Sequence, residues 1–378
     1  MARQARHMSV LFDSGPLGTG TLFRDPDALI EAWQPADVAD ALQAMETAQS
    51  RGHWLAGSAS YELGYVLIPK IAAKLPPTRQ EPLLRFGVFK GPEVPDRNDT
   101  HSAPRLGPFT PVWQFADYER AFRTVHGFLQ SGDIYQANLT FPMTARFKGS
   151  VHDLYQALAR RQPVPHGALV DLGEPVLLSR SPELFFSISK SGQLRVRPMK
   201  GTMRRGAGPE EDASLKARLA ASEKDQAENL MITDLMRNDL GRISEIGSVQ
   251  VPKLFHIESY ATVHQMTSEV VAQIKAEHGL ADIFKALFPC GSITGAPKIR
   301  AMEILSDLEQ GPRGPYCGAI GWVAPDGAMA FNVAIRTLIC TASGEVTLNV
   351  GGGIVFDSTA DDEYREALLK ARFVEDLT

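Results

Sequence analysis

The segment Pro198-Met-Lys-Gly-Thr-Met-Arg-Arg205 places a lysine beside a glycine directly after a strand-like run. In that run Leu194 and Val196 alternate with polar residues, a pattern that predicts a half-buried strand. Because a proline disfavours helical geometry in the residue before it, the chain stays extended as far as Arg197. We therefore expect Lys200 to lie where a strand ends and regard its amine as a candidate covalent nucleophile. The alternative is a solvated surface lysine, as most lysines are.

Composition excludes several classes of protein. The chain has 378 residues, is 44% hydrophobic and 22% charged, and carries a formal net charge of −5. No sustained basic patch with interleaved aromatic residues appears, so we expect no nucleic-acid partner. No apolar run approaches bilayer length and no signal-peptide pattern follows Met1, so we expect a cytoplasmic protein with no membrane partner. Three widely spaced cysteines support neither a disulfide framework nor a zinc site: Cys290, Cys317 and Cys340.

The order of strand-like and helix-like runs predicts the fold class. Prolines concentrate between residues 91 and 113, which indicates a connector between an N-terminal region, 1–113, that packs on the core and a catalytic region, 114–378. Strand and helix runs alternate without a strict βαβ rhythm, which favours an α+β protein. Predicted strands include residues 168–172, 175–179 and 345–350, and predicted helices lie near residues 36–50, 210–240, 281–288, 297–308 and 361–376.

Acidic residues recur at helical spacing in two places. Each pair of acids continues into an apolar stripe, with Asp225, Glu228, Ile232 and Leu235 in one stripe and Glu363, Glu366, Leu369 and Phe373 in the other. Four carboxylates on two helices would supply the oxygen ligands that Mg²⁺ takes in proteins. The alternative is that these acids are solvated or pair with lysine and arginine.

Five further motifs accompany the lysine segment in a fixed order. They are Ser181-Pro-Glu-Leu-Phe185, the run Asp225 to Arg242, Phe288-Pro-Cys-Gly-Ser-Ile-Thr-Gly-Ala-Pro-Lys298, Asn332-Val-Ala-Ile-Arg-Thr337 and Gly351-Gly-Gly-Ile-Val-Phe-Asp357. Together these motifs resemble the chorismate-utilising enzymes, closely over residues 114–376 and loosely over residues 1–90. The resemblance implies two antiparallel β-sheets packed face to face with helices outside.

Lys200 distinguishes the branches of that family. Members that form 4-amino-4-deoxychorismate carry a lysine in the Pro-x-Lys-Gly-Thr motif, whereas anthranilate-forming members typically carry a small residue there. The resemblance therefore implies amination of chorismate at C4, on the route to 4-aminobenzoate and folate. Gln136 stands where isochorismate-forming relatives have a lysine base, which argues against their chemistry. Two alternatives remain: the anthranilate-forming branch and a non-catalytic subunit that binds Mg²⁺ or anions.

The resemblance also implies roles for single residues. Lys200 would be the nucleophile, with its pKa lowered by burial or by Arg204 or Arg205, and Glu183 would be the general acid. Glu228 and Glu366 match metal ligands, and the remaining two acids, Asp225 and Glu363, match outer ligands that act through water. The implied cofactor is Mg²⁺.

A substrate with two carboxylates needs hydrogen-bond donors. The planar guanidinium of Arg336 can donate two hydrogen bonds to one carboxylate. A turn without side chains at Gly351, Gly352 and Gly353 would bring backbone N–H groups close to the substrate. Ser292 and Thr294 precede Pro297, which we expect at the start of a helix, where free amides bind anions. The other candidates for substrate contact are Tyr316, His264, Gln136 and Thr202; for Tyr316 and His264 the alternative is a packed interior residue.

The source of nitrogen follows from what the sequence lacks. No segment resembles a glutamine amidotransferase with a nucleophilic cysteine motif, and none resembles a trailing lyase. We therefore expect ammonia to come from a separate glutaminase subunit. A separate lyase would then convert the aminodeoxychorismate product to 4-aminobenzoate.

Overall fold

The structure, a computed structural model, describes residues 7–95, 104–260 and 263–375. Its strands are β1 Ser9–Gly15, β2 Gly18–Arg24, β3 Ala28–Ala32, β4 Trp54–Ala59, β5 Leu84–Phe89, β6 Arg105–Leu106, β7 Thr110–Pro111, β8 Gln136–Lys148, β9 His166–Asp171, β10 Val176–Ser181, β11 Leu184–Ile188, β12 Gln193–Val196, β13 Met199–Arg204, β14 Gln250–Ser259, β15 Val263–Gln273, β16 Gly295–Ala296, β17 Ala319–Val323, β18 Met329–Val333, β19 Thr337–Cys340 and β20 Glu345–Ile354. Its α-helices are α1 Asp37–Ser50, α2 Leu63–Leu67, α3 Phe115–Gln130, α4 Val151–Arg161, α5 Pro209–Ala220, α6 Glu223–Gly241, α7 Leu280–Leu287, α8 Lys298–Leu308 and α9 Ala360–Leu369. Short 3₁₀ helices cover Pro69–Lys74, Gly291–Ile293 and Arg372–Val374.

Two large sheets organise these elements. The first has the order β16-β8-β20-β19-β10-β9-β1-β2, with β6 and β7 also paired to β8. The second has the order β13-β15-β12-β11-β18-β17-β4-β5-β3, with β14 also paired to β15. The pairings within both sheets are antiparallel. The α+β class of the sequence analysis is therefore confirmed.

The sheets pack face to face through an apolar layer. Val10 and Val170 of the first sheet lie in one buried cluster with Ala56 and Ile320 of the second. Helices α3, α8 and α9 cover the outer face of the first sheet around β8 and β20. Helices α1, α6 and α7 contribute to the core on the second sheet. This arrangement agrees with the layers that the family resemblance implies.

The N-terminal strands complete both sheets. Strands β1 and β2 extend the first sheet beyond β9, and β3, β4 and β5 extend the second beyond β17. The division into regions 1–113 and 114–378 stays a prediction. Part of the expected connector, residues 96–103, lies outside the described residues.

Two local predictions were wrong. The helix expected over residues 210–240 is two helices, because the chain turns at Ser222, whose hydroxyl accepts a hydrogen bond from the backbone N–H of Asp225 at 3.3 Å and caps α6. On α9 the apolar stripe was wrong at Leu369, which is exposed, whereas Ala367, two residues earlier, is buried. In the described part of the chain no helix has both the length and the apolar character needed to span a bilayer.

Candidate active site

Lys200 lies in a bulge of β13. Strand β13 pairs with β15 at Met199 and again at Thr202, but the register shifts between them, so the two residues in between are displaced. Gly201 has φ +80°, and a Cβ on it would lie 2.8 Å from Oδ1 of Asp225, so this position requires glycine. The prediction that Lys200 ends a strand was wrong, because the break at Pro198 separates β12 from β13.

The surroundings of Lys200 depress the pKa of its amine. Burial is the main cause, and the negative charges of Glu228 and Glu183 oppose it. No hydrogen bond joins Nζ to any residue that the structure describes. The cation that adds to the lowering is Lys370, not Arg204 or Arg205 as expected. Those two arginines pair with acids at the start of α5 and are not among the neighbours that shift Lys200.

Glu183 stands between β10 and β11, beside Lys200. Its side chain is buried, and the hydroxyl of Ser292 donates to Oε1 at 2.6 Å. Burial raises the pKa of Glu183, although the hydrogen bond from Ser292 and the charges of Lys200 and Arg336 act in the other direction. A buried acid of raised pKa next to an amine of lowered pKa suits proton transfer at neutral pH.

Arg336 connects β18 and β19 in a conformation unusual for arginine. Its φ is 51°, in the left-handed region, and its carbonyl accepts from the N–H of Arg180 at 2.9 Å. Burial lowers the pKa of its guanidinium and the charge of Glu183 opposes this shift. The turn therefore directs a cation toward the same acid that Lys200 faces.

The three consecutive glycines lie in strand β20, where a turn was expected. They pair with Thr140, Leu139 and Asn138 of β8, and a Cβ on Gly351 would clash with the Leu139 carbonyl. On Gly353 a Cβ would clash with the Gln136 amide and lie 3.4 Å from Lys200 Nζ. The glycines thus act by leaving room for functional groups of their neighbours.

Gln136 is the most confined polar side chain of this cluster. It is fully buried at the start of β8, and neither its amide nitrogen nor its amide oxygen has a hydrogen-bond partner among the described residues. Leaving both groups of a buried amide unpaired costs free energy, on the order of 1–3 kcal/mol for each group. Gln136 therefore offers one unpaired hydrogen-bond donor group and one unpaired acceptor next to Lys200.

The four predicted acids, two on α6 and two on α9, are electrostatic neighbours: Asp225 and Glu366 act on Glu228, and Glu366 acts on Glu363. If residue 352 carried a Cβ atom, that atom would lie 2.9 Å from Oε2 of Glu363 and 4.0 Å from Oε1 of Glu366. Burial raises the pKa of Glu228, and the like charges of Asp225 and Glu366 add to this shift against the effect of Lys200. The acids are therefore close enough to repel one another, which a cation would relieve.

The carboxylate oxygens of these four side chains are suitable ligands for a hard cation such as Mg²⁺, which prefers oxygen ligands and keeps several waters. Across residues 7–95, 104–260 and 263–375, no three acidic, histidine or cysteine side chains converge closely enough to hold a metal ion by themselves. Glu366 pairs with Lys370 at 2.8 Å, and Glu363 accepts from Ser358 at 2.7 Å. A metal here would need oxygens from water and substrate to complete its ligands.

Four predicted substrate contacts have other partners in the structure. Both ring nitrogens of His264 are engaged, by Asp212 at 3.0 Å and Ser259 at 2.9 Å, which favours the interior alternative. Thr202 is exposed and donates to Gln265, and the Thr294 hydroxyl donates to carbonyls of its own loop. Tyr316 is buried, with Arg313 and Glu309 as its charged neighbours.

The prediction that Pro297 lies at or near the start of a helix is confirmed. Pro297 is the residue that precedes α8, and Gly295 and Ala296 pair with the start of β8. The loop before the helix is thereby held against Gln136, and the Ser292 hydroxyl is directed to Glu183 and not to a free anion.

Sequence reasoning missed Lys370. Its amine lies 2.9 Å from the Gly351 carbonyl and 2.8 Å from Glu366, at the edge of the glycine strand. The signal was present, because Glu366 and Lys370 are four residues apart, the spacing that places helical side chains together. Lys370 therefore adds a cation beside Glu366 and the glycine strand.

Comparison with known proteins gives one consistent family. The chorismate binding enzyme family model matches residues 9–376. Aminodeoxychorismate synthase component 1 of Klebsiella aerogenes is 45% identical over 254 residues, 67% of this chain and 56% of that protein. Anthranilate synthase component 1 3 of Haloarcula marismortui is 41% identical over 252 residues, 66% of this chain and 49% of that one. The matched region thus spans about half the length of these relatives.

A solved structure has the same fold. Anthranilate synthase component I from Streptococcus pneumoniae superposes with a TM-score of 0.82 at 25% identity, over 99% of this chain and 93% of that chain. The two-sheet architecture described above is therefore that of an experimentally determined relative.

Proposed function

The chain belongs to the family of chorismate binding enzymes, and we propose that it aminates chorismate at C4 to form 4-amino-4-deoxychorismate. The observation that carries this proposal is Lys200, a bulge lysine with a lowered pKa that faces Glu183. The aminodeoxychorismate synthase name of similar proteins supports the same reaction. Within this family the lysine distinguishes C4 amination from anthranilate formation.

The proposed reaction proceeds in two displacements, which splits one difficult substitution into easier steps. In the first, Nζ of Lys200 forms a bond to C2 of chorismate while the C4–O bond breaks, and Glu183 donates a proton so that water leaves. In the second, ammonia forms a bond to C4 while the C2–Nζ bond breaks, and the new ammonium group at C4 returns a proton to the Glu183 carboxylate. The lysine returns to its neutral state, and the double bonds of the ring return to their starting positions.

The remaining residues bind and orient the substrate. Arg336, a neighbour of Glu183, and Lys370, which donates to the Gly351 carbonyl, are cations that suit the two carboxylates of chorismate. Ser292 holds the Glu183 carboxyl in one orientation through its 2.6 Å hydrogen bond. Gln136 has two unpaired amide groups next to Lys200 and suits contact with the amine that enters or leaves.

We propose Mg²⁺ as the cofactor, held by Glu228 and Glu366 with Asp225 and Glu363 in support. Bound there, the ion would neutralise a substrate carboxylate and stabilise charge that spreads into it. This chain's own contribution is to keep four acids together despite their repulsion, which Lys200, Lys224 and Lys370 moderate.

We propose that a separate glutaminase subunit supplies ammonia, as the component 1 name of similar proteins suggests. The purified chain should then convert chorismate with ammonium but not with glutamine alone. Adding a glutaminase partner should confer use of glutamine. Glutamine-driven amination by the chain alone would contradict this part of the proposal.

Product analysis tests the main proposal. The chain is incubated with chorismate, Mg²⁺ and ammonium, and the product is identified by chromatography and mass spectrometry. We expect 4-amino-4-deoxychorismate, which a lyase converts to 4-aminobenzoate. Anthranilate as the main product would instead support the second candidate, which the similarity to the Haloarcula protein favours. No consumption of chorismate would support the non-catalytic alternative.

A further inference from the structure

A cavity lies between the segment 73–78 and the segment 306–313, which covers the end of α8 and the residues after it. Its volume is about 440 Å³, within the range of roughly 300–1,000 Å³ typical of small-molecule sites. The residues that line it are other than those of the candidate active site. Three prolines help to line it, and Tyr61, Glu62 and Arg313 also contribute to its wall.

The cationic side chains that line this cavity, Arg313 and Lys74, already form ion pairs. Arg313 is buried; Nε and Nη2 donate to Glu309 at 2.8 and 2.7 Å, and the guanidinium also donates to two backbone carbonyls. Lys74 at the rim pairs with Asp307. An anionic ligand would therefore have to displace existing ion pairs.

The hydrogen-bond acceptors of the cavity are in excess. Glu62 is 2% exposed, and Oε1 accepts from the Arg313 N–H at 2.7 Å, but Oε2 has no partner among the described residues. The Tyr61 hydroxyl, 1% exposed as a residue, likewise lacks a partner within the described chain. Burial raises the pKa of Glu62 to about 7. A ligand that donates hydrogen bonds and carries positive charge would satisfy both groups.

Arg313 lines this cavity and also contacts the segments that carry the candidate active site. Its guanidinium stands over the Tyr61 ring at 4.3 Å and donates to the carbonyls of Ile293 and Asn138 at 3.1 and 2.7 Å. Ile293 follows Ser292, which holds Glu183, and Asn138 pairs with Gly353 beside Lys200. A shift of Arg313 therefore acts on both segments that position the reactive pair.

We propose that this cavity binds a small organic amine in its ammonium form, with the ammonium on Glu62 and Tyr61 and the apolar part against the prolines, and that Arg313 transmits its binding to the catalytic loop, residues 290–295. The site is separate from that of chorismate. It does not depend on the proposed function, because binding and its effect on the loop are measurable without turnover.

Titration calorimetry with benzylamine hydrochloride at pH 8 tests the site, since Glu62 is then ionised and the amine is still protonated. We expect saturable binding to the purified chain, weakened at least about tenfold in Glu62→Gln, whose amide oxygen still accepts from the Arg313 N–H. Tyr61→Phe should weaken binding less. Benzyl alcohol, of the same shape without charge, should bind poorly, and the exposed-acid control Glu277→Gln should bind as the wild type does.

Hydrogen exchange read by mass spectrometry tests the transmission. Benzylammonium should alter amide exchange in residues 288–297 of the wild type and leave it unaltered in Glu62→Gln. Absence of saturable binding, equal binding of benzyl alcohol, or equal binding by Glu62→Gln would overturn the site. Saturable binding that leaves exchange in this segment unchanged would overturn the role of Arg313.

Discussion

Strand β13 carries two charged clusters that differ in how fully they are paired. At its start, Lys200 makes no hydrogen bond to any described residue, and burial lowers its pKa. Just beyond its end, Arg205 donates twice to Asp212, at 2.7 and 2.8 Å, and Asp212 also contacts His264. The two clusters contain similar residue types. In the first the lysine amine has no hydrogen-bond partner among the described residues, whereas in the second the charged groups are hydrogen-bonded to one another. The Lys200 cluster and the Asp212 cluster therefore differ in how many hydrogen bonds their charged groups make, more than in the types of residue they contain.

The pKa directions show the same contrast. Burial moves Lys200 and Glu183 toward their neutral forms, which can exchange a proton or attack carbon. Hydrogen bonds from Arg205 and from the Gly206 N–H hold the pKa of Asp212 well below its usual range and fix it as an anion. A group locked in one charge state stabilises structure but cannot take part in proton transfer near neutral pH.

Replacing Lys200 should have the largest effect on activity. Lys200→Ala cannot form the covalent intermediate, so the rate of 4-amino product should fall by several orders of magnitude, and residual turnover should shift toward amination at C2. Chorismate should still bind, and the melting temperature should stay close to that of the wild type. Lys216→Ala, an exposed lysine on α5, is the matched control. An undiminished rate of 4-amino product in Lys200→Ala would exclude the covalent mechanism.

Removing one predicted metal ligand should have the next largest effect. Glu366→Gln and Glu228→Gln should each reduce turnover by more than the roughly 10- to 100-fold typical of outer ligands, and should raise the Mg²⁺ concentration needed for half-maximal rate. Asp361→Asn, which removes an exposed acid of the same helix, should leave both quantities unchanged. Unaltered activity of either glutamine variant in metal-limited buffer would remove the metal assignment.

Glu183→Gln should lower turnover by roughly 10²- to 10⁴-fold, the range of general acid catalysis. Because the wild type needs a protonated Glu183 and a neutral Lys200, its kcat/KM should fall on both sides of an optimum pH. Without the acid only the amine titrates, so the residual rate of the variant should rise with pH and then level off. A bell-shaped profile retained by Glu183→Gln would assign the general acid elsewhere.

Asp212→Asn should have the smallest effect on activity and should act on stability. Because the pKa of Asp212 is depressed in the folded protein, its contribution is present above the unfolded value, about 3.9, and is lost as pH falls below it. The melting temperature of the variant should therefore lie below that of the wild type at pH 7, and the difference should shrink in acid. A large loss of kcat/KM with unchanged melting temperature would place the His264 cluster in catalysis after all.

Local patterns predicted most elements of the fold, and pairing distant in the chain explains the rest. Helix α7 and strand β12 follow from periodicity that a short window contains. The break at Ser222 was missed because no proline or glycine marks it, although serine with an acid three residues later is a capping signal. The glycines of β20 resemble a turn until their pairing with β8 is known, and no local pattern contains that pairing.

The acids of the candidate site were predictable because helical spacing is local. Spacing did not show that Glu183, Gln136 and Lys370 lie next to Lys200, since they come from different elements that only the assembled sheets bring together. Glu183 and Gln136 were named only through the family resemblance. For the same reason the sequence did not show that Arg204 and Arg205 already have partners on α5. Residue type predicted a cation near the lysine, but the fold determines which one.

The pairing of β8 with β20 has a consequence for the timing of assembly. Asn138 and Gly353 face each other across this pairing, yet most of the catalytic region lies between them in the chain. Contacts of such high sequence separation are slow to form, and during synthesis β8 must wait until β20 has left the ribosome. Lys200, Glu183 and the acid-bearing helices α6 and α9 therefore meet only in the final stage of folding. A nascent chain that ends before β20 carries Lys200 and Glu183 but no reaction centre, because Glu363, Glu366 and Lys370 follow β20 in the chain.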